Sequence, residues 1–264
     1  MDFHNDKLKY FGMQTTVTVE DVIPFLTKNG FNCIESRVLE IGCAEAGVLK
    51  GFIDNGAIGV GVELSESRVK DANKFMAEYA ADGRFSIYNI NIFDINSPDE
   101  FFGELFDLVV LKDVIEHIPN QEAFIVKLKE FLKPEGKIFF AYPPWYMPFG
   151  GHQQVCNNKI LRILPWFHLL PKPLYKSILK LGKVPPEGLN ELMELVDTGI
   201  TIDRQYKILR THKFKIIDEI YWFLNPIYQW KFNFKKRKVA SLFTKIPYLR
   251  NFYTTAHYLL FKPL

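Results

Sequence analysis

Residues 37–63 read RVLEIGCAEAGVLKGFIDNGAIGVGVE and compress a strand, a small-residue turn, a helix and a second strand into 27 positions. Val38, Leu39 and Ile41 form the apolar run of a parallel strand covered on both faces. Positions 42–47, GCAEAG, then turn the chain with little side-chain bulk, so that backbone N–H groups can approach a ligand where a helix opens. The second strand, 58–62, ends at Glu63, 21 positions after Gly42. A carboxylate at that point can accept both hydroxyls of a ribose. The stretch therefore reads as a nucleoside-binding βαβ unit.

The dinucleotide pattern G-x-G-x-x-G/A uses its second glycine to bring the backbone against a pyrophosphate. Here Ala44 stands at that position and Glu45 follows it, which disfavours a pyrophosphate and with it NAD or FAD. The run Glu40-x-Gly42-x-Ala44-x-Ala46 instead resembles the E/D-x-G-x-G-x-G loop of class I S-adenosylmethionine-dependent methyltransferases, with alanine at two of the three glycine positions.

Downstream segments carry the same resemblance. A capped amphipathic helix is expected from Ser65 to about Tyr79, a third strand over 84–90, then Asn91-Ile92-Phe93-Asp94 where the family usually reads D-A-x-x-L. A fourth strand over 106–111 leads into Asp113-Val114-Ile115-Glu116-His117-Ile118, at the family's V-x-E-H-L position. A helix over 121–132, the turn Lys133-Pro134-Glu135-Gly136 and a fifth strand over 137–142 follow. The resemblance is close over 35–145 and looser over 200–264. It implies an α/β doubly wound sheet of seven strands in the order 3-2-1-4-5-7-6, with strand seven antiparallel and lid insertions attached. Strands six and seven fall at 214–220 and 254–261, and helices at 18–29, capped by Thr18, and 189–210. The implied organisation is an N-terminal helical segment (1–34), a cofactor-binding core (35–145), a lid insertion (146–200) and a C-terminal part (201–264). The last contains a second basic insertion at about 222–250.

The resemblance also implies the donor and its contacts. S-adenosylmethionine, leaving as S-adenosylhomocysteine, would be held by Glu40, Gly42, Cys43, Ala44, Glu63, Leu64, Asn91, Ile92 and Lys112. The Asn91 amide oxygen takes the adenine amino group in place of the usual aspartate, with Asp94 as the alternative contact.

Composition agrees with one large core: 264 residues, 48% hydrophobic. Residues 1–10 lack the apolar region of a secretory signal, and no run of 18 apolar residues suggests a spanning helix. Three cysteines without a C-x-x-C pair suit a reducing cytoplasm and argue against a disulfide framework or a zinc site; no metal is expected. Charge is unevenly placed. Residues 136–186 carry no acid against seven Lys and Arg, and residues 221–264 carry none against eight. Both stretches are rich in aromatics, Leu and Pro. Such a lid suits an anionic small-molecule or lipid-linked acceptor, or a membrane surface; nucleic acid fits less well, since only 235–238 is densely basic.

Methyl transfer is an in-line displacement at a sulfonium, and an oxygen acceptor must also lose its proton. Candidate bases are His152 in the PPWYMPFGGHQQ segment (143–154) after strand five, and His117 and Asp113 after strand four. The remaining histidines, His4, His168, His212 and His257, have no partner motif. The expectation is an O-methyltransferase; N-methylation, methylation of nucleic acid and a catalytically silent adenosylmethionine-binding subunit remain alternatives.

Overall fold

The computed structural model describes residues 6–153, 156 and 158–264; His4 and Gln154 lie outside them. Eight strands form one sheet: β1 (Arg37–Ile41), β2 (Ile58–Val62), β3 (Phe85–Tyr88), β4 (Phe106–Lys112), β5 (Leu132–Tyr142), β6 (Phe214–Leu224), β7 (Arg237–Lys238) and β8 (Ala256–Pro263). Their order is β3-β2-β1-β4-β5-β8-β6-β7. The first five pair in parallel, and β8 inserts antiparallel between β5 and β6. The expected seven-strand order is thus present, with β8 as its seventh strand. The two-residue β7 extends the edge beyond it.

Period-two alternation sorts the core into two faces. Val38, Leu108, Val110, Phe139 and Leu260 face one cluster, together with Phe52 and Leu26 of the helices covering it. Leu39, Val109, Leu111, Phe140 and Phe261 face the other, together with Phe124 and Leu209. The ends of β1, β2, β4 and β5 open on one edge of the sheet. Because β8 runs backwards, the chain after β5 and the chain between β6 and β8 both leave from that edge. Both basic insertions therefore begin at the edge where β1, β2, β4 and β5 end.

The N-terminal helix departs from expectation. It begins at Lys7, where the Asp6 carboxylate accepts from the Lys9 N–H at 3.0 Å, and continues to Lys28 through a π-helical turn at Thr18–Val22. Thr18 is therefore not a cap; its hydroxyl donates to the Gln14 carbonyl at 2.8 Å. The stretch KLKYFGMQTTV has no clean apolar stripe, so periodicity does not reveal it as a helix. Pro24, which lacks an N–H and crowds the carbonyl four residues back, follows the widened turn that makes room for it.

The expected helix over 189–210 is two helices, Pro186–Thr198 and Ile202–Thr211. They separate at Gly199, where a Cβ would come within 2.3 Å of the Trp145 ring, and the Trp145 N–H donates to the Ile200 carbonyl at 2.8 Å. Residues 158–198 surround a cluster of their own, built on Leu161, Phe167, Tyr175, Leu179, Leu192 and Leu195. Among the described residues no helix is long and apolar enough to cross a membrane.

Candidate functional site

The loop after β1 alternates into the left-handed region: Gly42 has φ +70°, Ala44 +48° and Ala46 +66°. At Gly42 a Cβ would sit 2.6 Å from a Val114 methyl, and at Gly47 one would sit 2.7 Å from the Phe11 carbonyl oxygen, so those two positions need glycine for space. The two alanines keep the conformation of the glycines they replace at a cost of about 1–2 kcal/mol each. Beneath them the N-terminal helix closes the loop, and the Thr15 hydroxyl donates to the Gly47 carbonyl at 2.9 Å.

Glu63, buried at the end of β2, holds this loop. One of its carboxylate oxygens accepts from the Ala44 N–H at 2.9 Å, the other from the Ser65 N–H at 2.8 Å. Leu64 beside it is exposed. The Asn91 side-chain oxygen accepts from the Phe93 N–H at 3.0 Å and caps the 3-10 turn Ile92–Asp94, with Ile92 buried and Asp94 exposed. One lone pair of that oxygen remains for a ligand.

Under the loop lies a charged cluster. Glu40 is buried on β1, its carboxyl pushed well above the usual range by burial against the opposing pull of Lys112, and one of its oxygens has no hydrogen-bond partner. Lys112 at the end of β4 donates to Asp113 at 2.7 Å. Burial works against its charge, but Asp113, Tyr10 and Tyr258 together outweigh it and the pKa is raised. Tyr10 comes from the N-terminal helix, and Lys231, from the insertion between β6 and β8, lies 4.7 Å from the Tyr10 ring centroid. Burial, with Lys112 adding, lowers Lys231 to about 8. Sequence reading missed both Tyr10 and Lys231, because nothing local to either residue ties it to β4.

A second group of titratable residues follows β4. Asp113 takes φ +56°, and the 3-10 turn Ile115–His117 is fixed by buried Gln121, whose amide donates to the Ile115 carbonyl at 3.0 Å and to the Thr198 carbonyl at 2.5 Å. Glu116 is buried with neither carboxylate oxygen hydrogen-bonded, and burial reinforced by Asp113 pushes its pKa far up. His152 Nε2 stands 4.0 Å from Glu116 Oε1, and the His117 ring centroid lies 5.2 Å from that of His152. Burial lowers the His117 pKa. Gly150 and Gly151 are needed for close packing, since a Cβ there would come within 2.3 Å of the Trp145 carbonyl oxygen and of the His168 Cβ respectively. That packing delivers His152, at φ +52°, to the turn after β4. The nearest ligand atoms of Glu116, His117 and His152 lie within 4.8 Å of one another, a spacing a cation could bridge.

The other described histidines are held by partners. His168 Nε2 is 2.7 Å from the Trp145 carbonyl oxygen, and burial lowers its pKa to about 4. His212 pairs with Glu122 at 2.6 Å. His257, fully buried on β8, lies 3.1 Å from both the Tyr142 hydroxyl and Glu219, and Glu219 also bonds Tyr206. Its partners stand on neighbouring strands, invisible to a motif search.

A model described as a methyltransferase domain matches residues 16–169. The chain belongs to the methyltransferase-domain family. It is 28% identical over 109 residues to the ubiquinone biosynthesis O-methyltransferase of Pasteurella multocida, a match covering 40% of this chain and 45% of that protein. The chain thus spans less than half the length of the first curated relatives it matches. The magnesium protoporphyrin IX methyltransferase of Synechocystis, solved with S-adenosylhomocysteine, superposes with a TM-score of 0.52 at 16% identity, covering 96% of this chain and 84% of that one. The geranyl diphosphate C-methyltransferase of Streptomyces coelicolor gives 0.55 at 12% identity, covering 91% and 78%. The fold is that of a class I S-adenosylmethionine-dependent methyltransferase, and the Synechocystis enzyme that shares it is also solved with bound S-adenosylmethionine. The methyltransferase site fits that group: a loop too close-packed for side chains at Gly42 and Gly47, a buried carboxylate at the end of β2, and an orphaned oxygen on Glu40.

Proposed function

We propose that this methyltransferase alkylates an oxygen of a small, anionic acceptor, with His152 as the general base and the 146–200 and 222–250 segments as its lid. The observation that carries the reading is the convergence of His152, Glu116 and His117 at the carboxyl ends of β4 and β5. S-adenosylmethionine supplies an electrophilic methyl carbon on a sulfonium. Glu63 would hold the ribose hydroxyls, Asn91 and Ile92 the adenine edge, and the cluster of Lys112, Asp113 and Tyr10 the methionyl end. The His152 imidazole would take the acceptor hydroxyl proton as that oxygen attacks the methyl carbon, the new C–O bond replacing the C–S bond. Burial favours the uncharged form of Glu116, and its Oε1 stands 4.0 Å from His152 Nε2, so the carboxyl packs beside the ring and helps to set its orientation. The name of the Pasteurella relative, an O-methyltransferase, is in keeping with an oxygen acceptor.

The direct test follows label from the methyl group of S-adenosylmethionine into acceptors extracted from the source cells. Label recovered as a methyl ether or ester supports the reading, and label on nitrogen or in nucleic acid overturns it. Loss of transfer on chelation, restored by a divalent cation, would replace the base with a metal held by the same three residues.

Lys231 gives this reading a pH signature. Its ammonium is present below about pH 8 and lost above it, so affinity for the anionic group it faces should fall as pH rises through that value. A charge-assisted bond of about 1.5–3 kcal/mol corresponds to roughly 10- to 150-fold in affinity. Lys231→Arg should flatten the dependence and Lys231→Met should bind weakly at every pH. Calorimetry from pH 6 to 9, with S-adenosylhomocysteine and with acceptor, reads this out; a flat wild-type profile for both ligands would remove Lys231 from the site.

A further inference from the structure

Among the exposed large apolar side chains, four belong to the short stretch 160–166, and a fifth, Leu181, ends the helix packed beside it. Ile160 is 71% exposed, Ile163 70%, Leu181 82%, and Leu164 and Trp166 a little over 40%. They are held together from beneath. At Gly182 a Cβ would come within 2.3 Å of a Leu161 methyl, so the 3-10 turn Leu161–Ile163 abuts the end of the helix Lys172–Leu181. The inward residues of the same elements, Leu161, Phe167, Tyr175 and Leu179, fill the local core, with the Phe167 and Tyr175 rings 4.7 Å apart. The outward set is therefore not a core waiting for its own chain. Scattered exposed leucines need no explanation; a clustered set does.

The elements that carry this face hold basic residues and no acidic ones, while the acids Glu187, Glu191, Glu194 and Asp197 lie on the next helix, Pro186–Thr198. Residues 136–186 contain no Asp or Glu. Lys172 is taken by Asp197 at 2.5 Å, but among the described residues Lys159, Arg162, Lys176, Lys180 and Lys183 form no ion pair. The denser run at 235–238 is less available than its sequence suggests: Lys236 pairs with Asp21 at 2.7 Å and Lys238 lies over the Trp222 ring.

We infer that this face, Ile160–Trp166 with the end of the helix Lys172–Leu181, docks on an anionic lipid bilayer and presents membrane-held acceptor to the His152 loop. Exposed aliphatic side chains on the same elements as Lys159, Arg162, Lys176, Lys180 and Lys183 match an interface of acyl chains under anionic headgroups. Trp166 has the two-sided character of an interfacial anchor, its indole N–H donating to the Tyr146 carbonyl at 3.1 Å. A single-stranded nucleic acid would require aromatic faces to stack on, and this face offers one tryptophan among four aliphatics. The link to the site is direct. The Gln153 amide donates to the Leu164 carbonyl at 2.9 Å, and the Trp166 N–H donates to the Pro148 carbonyl at 2.7 Å, so both ends of the 148–153 segment are tied to the docking face. The inference extends the proposed reaction and does not depend on His152 being the base.

The full chain is sedimented with vesicles of phosphatidylcholine alone and with vesicles containing phosphatidylglycerol, at low and high salt. Two variants run beside it, Ile163→Ser with Leu181→Ser and Lys176→Glu with Lys180→Glu, and calorimetry with S-adenosylhomocysteine verifies that each is folded. The wild type should pellet with anionic vesicles only, and less so at high salt. The serine pair should lower the bound fraction about tenfold or more, and the glutamate pair should abolish pelleting. No pelleting at low salt, or full pelleting of a folded serine pair, overturns the inference. So does a wild type that instead self-associates through these residues, or that binds single-stranded DNA and ignores vesicles.

Discussion

Replacing His152 with alanine is expected to lower methyl transfer by about 10²–10⁴-fold while leaving S-adenosylmethionine affinity unchanged, the usual contribution of a positioned base. The split between turnover and cofactor binding matters. His152 sits on a left-handed residue at the end of a tightly packed loop, and a merely structural histidine would disturb both. Glu116→Gln keeps the shape of the side chain packed 4.0 Å from His152 Nε2, and should lower turnover less than His152→Ala does while leaving S-adenosylmethionine affinity unchanged. Single-turnover kinetics at saturating cofactor measure the chemical step. A folded His152→Ala enzyme with near-normal turnover on its true acceptor would move the base to His117 or Asp113, or remove the need for one.

What the sequence reveals of this molecule is set by how local each determinant is. The β1–β2 unit is legible because its strand, turn and helix lie within 27 residues. The sheet order is legible through resemblance, since five ordered signals repeat a known pattern. Failures come where tertiary contact overrides local pattern. Thr18 looks like a cap but lies inside a helix, because the preceding turn supplies an acceptor for its hydroxyl. The helix expected over 189–210 breaks at Gly199 to admit the Trp145 ring. In the site, Glu116 is visible as a letter in a motif, yet its burial without a hydrogen bond is a property of the packed turn. Lys231 meets the Tyr10 ring because the second insertion, which leaves β6 and returns into the antiparallel β8, lies against the N-terminal helix.

Glu63→Ala should weaken S-adenosylmethionine binding by about 10- to 150-fold, the loss of a charge-assisted bond to a ribose hydroxyl of roughly 1.5–3 kcal/mol. The geometry adds a second consequence. The same carboxylate accepts from the Ala44 and Ser65 N–H groups, so the alanine variant also leaves these donors without a partner, a cost on the order of 1–3 kcal/mol for each one buried. Affinity and stability must therefore be measured separately, by calorimetry well below the unfolding temperature and by denaturant titration. The bond to Ala44 has a further meaning, because Ala44 is held at φ +48° at a cost of about 1–2 kcal/mol. A carboxylate hydrogen bond of comparable size offsets that strain, which explains how the loop keeps a glycine-like path without the glycine. Ala44→Gly should then recover part of the stability lost in Glu63→Ala while recovering little of the affinity, since the ribose contact stays missing. Full recovery of affinity in the double variant would mean that Glu63 only shapes the loop; a folded Glu63→Ala protein that binds normally would remove it from the cofactor site altogether.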